Sequence, residues 1–261
     1  MWKDVNMRKR LSSLETFSQV FEEMIWSLTE HWLSKSTFQD YRKHYTSHFK
    51  QLGKVAFEGL LVNKLDFTEE AFEECMDAMT TGCKVGVLSS ESRFARVGKE
   101  KRELKDISFS HKLFQEYLAG MYLASLFISD REQFWKFIKS SIFPDYKNFR
   151  YLLYFTAAHG KEAGYAGKPL LEFICSEIAD EEFVVDVSFE CHENSALPPV
   201  KVYFHEHCKA LHLSQRLQIL QKHTWFGYMN IFALCAAERV STLGYSNNLE
   251  VSEEKVYCFT K

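Results

Sequence analysis

Chain breakers are scarce in this sequence. Its 261 residues include only four prolines and eleven glycines, which favours long regular elements over a loop-rich fold. Charge of one sign is also lacking. The formal net charge is -3, so no global field draws the chain to nucleic acid or to an acidic membrane. No uninterrupted apolar run is long enough to span a bilayer. The opening stretch MWKDVNMRKRLSS is charged and has no apolar core, unlike a signal peptide. There is no CxxC pair. The seven cysteines (75, 83, 175, 191, 208, 235 and 258) are odd in number and irregularly spaced, which fits reduced thiols in a cytoplasmic protein better than a disulfide framework. No phosphate-binding loop occurs either: Gly53-Lys54, Gly98-Lys99, Gly160-Lys161 and Gly167-Lys168 each lack the following hydroxyl residue and the upstream glycine. GxSxG, HExxH and dinucleotide fingerprints are absent as well. The expectation is a non-enzymatic chain that hydrolyses no nucleotide alone.

What is present is apolar material at helical spacing. Apolar residues make up 46% of the chain and aromatics 15%, enough for a large core and against disorder. Period-3.6 patterns recur along most of the sequence, so a mostly α protein is expected. The organising stretch is 105–127. Ile107 and Phe109 alternate with Ser108 and Ser110, a strand with one buried face. From Lys112 the chain turns apolar nearly all round, with polar residues (His111, Lys112, Gln115, Glu116) crowding the first turns. That describes a strand feeding a buried helix.

Upstream, residues 12–34 read as an amphipathic helix with Leu14, Phe17, Phe21, Ile25, Leu28 and Trp32 on one face, and Ser12 and Glu15 at capping-box spacing. Residues 35–48 read as a connection. A second helix is expected over 47–62 with Phe49, Leu52, Ala56 and Leu60 inward, then a short acidic helix from Thr68 to Met76. KVGVL, 84–88, reads as a strand and the charged stretch 89–104 as a loop before the second strand, 105–110. Three helices followed by a hairpin make a winged-helix layout, the loop being the wing. Helices are expected downstream over 131–141, 144–158, from Pro169 to about Ile178, and over about 182–193, 199–209 and 224–240.

Three groups of residues invite a chemical reading. His205, His207, Cys208 and His212 form a metal-like cluster, but it lacks the paired spacing of zinc sites. A partly solvated helix face explains it, and no metal is expected. The wing carries Arg93, Arg96, Lys99, Lys101 and Arg102, yet Glu91, Glu100 and Glu103 interleave. The expected recognition helix at 69–76 is acidic and would repel phosphates. A solvated loop or protein contact fits better than nucleic acid. His111 sits at a strand-to-helix junction, where backbone donors are unpaired and anions bind. By spacing alone it is a histidine hydrogen-bonded at a helix start.

Two segments carry a family resemblance. IxFxHxxFQEYLAGxYL, Ile107 to Leu123, closely resembles the motif that ends the winged-helix domain of NLR proteins, the NACHT-type nucleotide-binding immune receptors of animals. LGKVAFEGLLVNKLDFTEEAF, Leu52 to Phe72, resembles an upstream segment of the same domain. GCKVGVLSSES, Gly82 to Ser92, is similar to the strand between them. VDVSFECHE, Val185 to Glu193, resembles that family's second helical domain more weakly.

The resemblance implies a winged-helix domain over 10–127 with a small β-hairpin, an all-α second helical domain over 128–245, and a tail over 246–261 that begins a leucine-rich-repeat region or is disordered. It implies a cytoplasmic regulatory role in innate immune signalling. In that family the motif's histidine contacts the β-phosphate of bound ADP and holds the receptor inactive, and here that role falls on His111. The nucleotide, ADP or ATP, would be held by a neighbouring nucleotide-binding domain, for which these residues contain no phosphate loop. The chain itself would hold no cofactor. Expected partners are that domain, the leucine-rich repeats of a full-length receptor, and further copies in a homo- or hetero-oligomer, with no nucleic acid and no membrane span. On this reading the chain is a receptor fragment. The rival readings are a nucleic-acid-binding winged helix and a free-standing decoy that inhibits full-length receptors.

Overall fold

The computed structural model of the chain describes residues 14, 16–33, 41–97, 100–160, 166–191, 199–200 and 202–203. The chain divides into two compact units, Met1–Gly167 and Lys168–Lys261. The described residues are mostly helical, with one small three-stranded antiparallel sheet. None of their helices is long and apolar enough to cross a membrane.

In the first unit, helix α1 (Phe17–Leu33) starts from a capping box one turn beyond the expected pair, which lies outside the described residues. The Gln19 amide donates to Thr16 Oγ1 at 3.2 Å, and Gln19 Oε1 accepts from the Thr16 amide at 3.3 Å. Helix α2 (Tyr41–Leu61) begins earlier than its apolar pattern suggested and absorbs part of the expected connection. Phe49, Leu52, Ala56 and Leu60 are buried, as their spacing requires. Strand β1 (Asp66–Thr68) follows, then a 3-10 helix over Glu69–Cys75 and helix α3 (Met76–Val85).

Here the element boundaries differ from the sequence reading. KVGVL is not a strand throughout. Val85 closes α3, and Gly86 adopts a left-handed φ of 88° that caps it. The amides of Gly86 and Val87 both donate to the Gly82 carbonyl at 3.0 Å. Strand β2 starts only at Leu88 and runs to Val97. It pairs with β3 (Glu100–Phe109) from Leu88↔Phe109 out to Val97↔Glu100. The expected wing loop is therefore mostly ladder. Its residues past Ser90 mix charged and apolar types without alternation, so they carry no period-2 hydrophobic signal, while backbone hydrogen bonding still extends the strand. β1 pairs with β3 over Asp66↔Ser108 to Thr68↔Asp106, giving the sheet order β1-β3-β2. Helix, strand, two helices and hairpin in that order make the winged-helix arrangement, with α2, the 3-10 helix and α3 as its helices.

Helix α4 (Lys112–Ser129) is the buried helix expected after the second strand. Twelve of its residues are buried. Two glycines bring its neighbours close. A Cβ on Gly53 of α2 would lie 2.4 Å from the Leu118 carbonyl oxygen, and one on Gly120 would lie 2.6 Å from Phe155 Cβ. Phe155 belongs to helix α6 (Arg150–His159), which follows α5 (Arg131–Phe137), a π-helical turn over Ile138–Ile142 and a 3-10 turn over Phe143–Asp145. Rings of Phe21, Phe114, Tyr117 and Phe155 meet at centroid distances of 5.2 to 6.2 Å, joining α1, α4 and α6. The boundary expected after Phe127 thus falls inside the first unit.

In the second unit, α7 (Gly167–Glu177) and α8 (Glu181–Cys191) match the expected helical segments closely. Asp180 caps α8 by accepting from the Phe183 amide at 3.1 Å. Of the expected helix 199–209, only four residues are described, and those at 224–240 and the tail 246–261 lie outside the described residues.

Candidate functional site

The turn carrying His111 is held from both sides. The Ser110 amide donates to the Val87 carbonyl at 3.0 Å, and Ser110 Oγ donates to the Gly86 carbonyl at 2.9 Å. The turn is thereby tied to the start of β2. On the other side, His111 is the N-cap of α4. Its backbone is extended, and its Nδ1 accepts from the Leu113 amide at 3.1 Å. The plain reading of this histidine, a ring bonded at a helix start, is what the structure contains.

That cap has a chemical consequence. A neutral imidazole has one donor and one acceptor nitrogen. With Nδ1 accepting from the helix, the ring hydrogen must sit on Nε2. His111 is exposed, so the fixed tautomer offers one N–H donor to solvent or to an anion.

Two of the polar residues after His111 do not share its exposure. Sequence spacing had grouped Gln115 and Glu116 with the polar first turns, yet both are buried. Gln115, with no exposed surface, spans the turn at the end of α2. Its Nε2 donates to the Ala56 carbonyl at 3.1 Å and the Lys64 carbonyl at 2.9 Å. The segments that carry the family resemblance are thus joined by a direct side-chain clamp. Glu116 is only 3% exposed, and Lys112 Nζ stands 3.8 Å from its carboxylate. Burial pushes its carboxyl up to about 7, against a smaller opposite effect of Lys112.

The next residue, Tyr117, packs edge-on against His159 at a centroid distance of 4.6 Å. His159 is 8% exposed, and its Nε2 has no hydrogen-bond partner among the described residues. Burial lowers its ring to about 4, and the charge of Lys50 adds to that; a hydrogen bond with the Tyr117 backbone opposes it. His159 is therefore a neutral core histidine. Sequence reasoning passed over it because nothing local to a histidine at a helix C-terminus marks it as buried.

Of the wing's basic residues, Arg93 binds Asp106 at 2.6 Å, and Lys105, next to the wing on β3, binds Glu69 at 3.1 Å. The helix preceding the hairpin is α3, not the acidic 69–76 segment. Its charges are Asp77 in the first turn and Lys84 in the last. The acidic segment that would repel phosphates is thus not the helix before the hairpin, although α3 itself has no basic stripe. No group of three or more potential ligands able to hold a metal occurs among the described residues. The cluster at His205, His207, Cys208 and His212 lies outside them. The four described cysteines, Cys75, Cys83, Cys175 and Cys191, form no disulfide. No family model and no curated protein matches the chain.

Proposed function

We propose that this chain is a non-catalytic regulatory module of an NLR-like receptor. In this reading His111 donates from Nε2 to the β-phosphate of ADP held by a neighbouring nucleotide-binding domain, and this contact biases the receptor toward an inactive state. The module also docks on leucine-rich repeats and takes part in oligomerisation. The observation that supports the reading most is the helix cap. It occupies Nδ1, fixes the donor tautomer, and leaves Nε2–H on an exposed ring at the mouth of a buried helix. The winged-helix order and the Gln115 clamp between the resembling segments agree with it. Because ADP makes this contact and an open state does not, the nucleotide shifts the equilibrium by the contact's free energy.

The test is ADP retention by a cognate nucleotide-binding domain expressed with this chain. His111→Ala should weaken retention by about 1–3 kcal/mol, roughly 5- to 150-fold, for one hydrogen bond to a charged group. Equal retention by wild type and variant would sink the clamp.

Nucleic-acid binding is the second reading. The observation in its favour is that α3, rather than the acidic 3-10 helix, precedes the hairpin. It requires salt-dependent binding of duplex DNA that Arg93 and Arg96 substitutions weaken.

A further inference from the structure

β2 is an outer strand of the sheet, and its far edge meets no other strand among the described residues. Its register with β3 runs unbroken from Leu88↔Phe109 to Val97↔Glu100. Along such a ladder the backbone groups alternate, one residue facing the partner strand and the next facing away. The Ser110 amide donates to the Val87 carbonyl at 3.0 Å, so Val87 faces β3. Counting on by twos, Ser89, Glu91 and Arg93 face β3 as well, and the N–H and C=O groups of Ser90 and Ser92 point out of the sheet. Both serines are exposed. An open edge of this kind is a template for a further strand. Several devices that close an edge are lacking here: LSSESRFARV holds no proline and no lysine, and its register has no bulge.

The side chains say which strand fits. Ser89, Glu91 and Arg93 share one face of the sheet with Asp106 and Ser108, the face opposite buried Ile107 and Phe109. On it the Ser89 and Ser108 hydroxyls bond at 2.7 Å. Glu91 stands directly opposite Asp106, a like-charge pair that weakens the ladder. Arg93 reaches diagonally to Asp106 at 2.6 Å and remains 60% exposed. An arginine placed on the outer side of Glu91 would relieve that repulsion, and a second β2 brings one. Two antiparallel copies must set outward-facing residues against each other, so their two-fold axis passes through a residue of the strand. An axis through Glu91 or Arg93 puts like charges opposite. One through Ser90 puts Glu91 opposite Ser89, and one through Phe94 puts Arg93 opposite Ala95. The axis through Ser92 sets Glu91 opposite Arg93, and symmetry makes that pair twice. Ser92 then exchanges both backbone bonds with its copy. Glu91 and Arg93 fall in the closer pairs, with Cα atoms about 4.5 Å apart. The guanidinium has five N–H donors, enough to hold Asp106 and the second copy's Glu91 together.

We propose that β2 pairs antiparallel with β2 of a second copy of this chain about a two-fold axis through Ser92, which joins two three-stranded sheets into one of six strands. The contact is isologous, so it closes at two copies. It involves no nucleotide and stands independently of the His111 contact, whose test its failure would leave untouched.

Charge reversal tests the register on the full chain. Sedimentation velocity of the wild type should show a concentration-dependent dimer and no larger species. Glu91→Arg sets arginine against arginine across the axis, and Arg93→Glu sets glutamate against glutamate. Each variant alone should dimerise about tenfold or more weakly. An equimolar mixture of the two should restore the dimer, because each position then meets its opposite charge. Ser92→Pro removes the outward N–H on the axis while sparing the bonds to β3, and should leave a monomer with wild-type helical circular dichroism. Hydrogen exchange at the Ser90 and Ser92 amides should slow as wild-type concentration rises and stay fast in either reversed chain. A monomeric wild type, growth beyond two copies, dimerisation indifferent to both reversals, or a mixture that stays monomeric would overturn the proposal. So would a dimer in which the Ser92 amide exchanges as fast as in the monomer.

Discussion

At the scale of single residues, two buried titratable groups set opposite pH dependences in the same unit. Glu116 has a carboxyl raised to about 7 from an ordinary 4.5. The folded state holds its proton more tightly than the unfolded state, so its contribution is full below about 4.5 and is lost as pH rises to 7. His159 has a ring lowered to about 4 from 6.5. Its contribution is full above 6.5 and is lost as pH falls toward 4. Each difference is worth about 3 kcal/mol. Between pH 4.5 and 6.5 the two slopes cancel. Melting temperatures of the wild type should therefore be nearly flat across that window. Glu116→Gln should expose the histidine's slope, with stability rising with pH, and should stabilise the protein at pH 8. A Glu116→Gln protein as flat as the wild type would contradict this account of the core. His111 acts on stability only through its cap. His111→Ala should cost about 1 kcal/mol, and His111→Ser, which restores a capping oxygen, should recover most of it.

Helix contacts follow from small residues placed at crossings. Gly120 sets the approach of α4 to α6, because a Cβ there would meet Phe155 Cβ at 2.6 Å and the Thr156 amide nitrogen at 2.9 Å. Gly120→Ala should therefore destabilise by about 1–3 kcal/mol through overpacking, despite alanine's better helix propensity. Urea denaturation reads this directly, and a stabilised Gly120→Ala protein would refute the close crossing. At this scale the sequence was most legible where the pattern was longest. The buried helix from Lys112 and the inward face of α2 follow directly from apolar spacing. α3 was hidden because MDAMTTGCKV holds two threonines and a glycine, giving a weak helical signal, while its C-terminal Val85 and the following Val87 and Leu88 imitate a strand. The three-residue β1 was too short to show a period. The outer part of the β2–β3 hairpin reads as a loop because its residues mix charged and apolar types without a period of two. Within the site, the cap made by His111 was legible from the junction alone. The burial of Gln115 and Glu116 was not, since it depends on α2 crossing above them, a contact more than 50 residues distant in sequence for Gln115.

At the scale of the whole molecule, the proposed histidine contact concerns a nucleotide on another domain and depends on one N–H. The central claim is that His111 serves a ligand as well as its helix, and the cap-preserving variant separates these roles. The decisive measurement is the ADP dissociation rate from a nucleotide-binding domain assembled with this chain, comparing wild type with His111→Ser. The account predicts faster release, about fivefold or more, from a variant whose melting temperature matches the wild type. An unchanged release rate would contradict it and leave His111 as a helix cap alone.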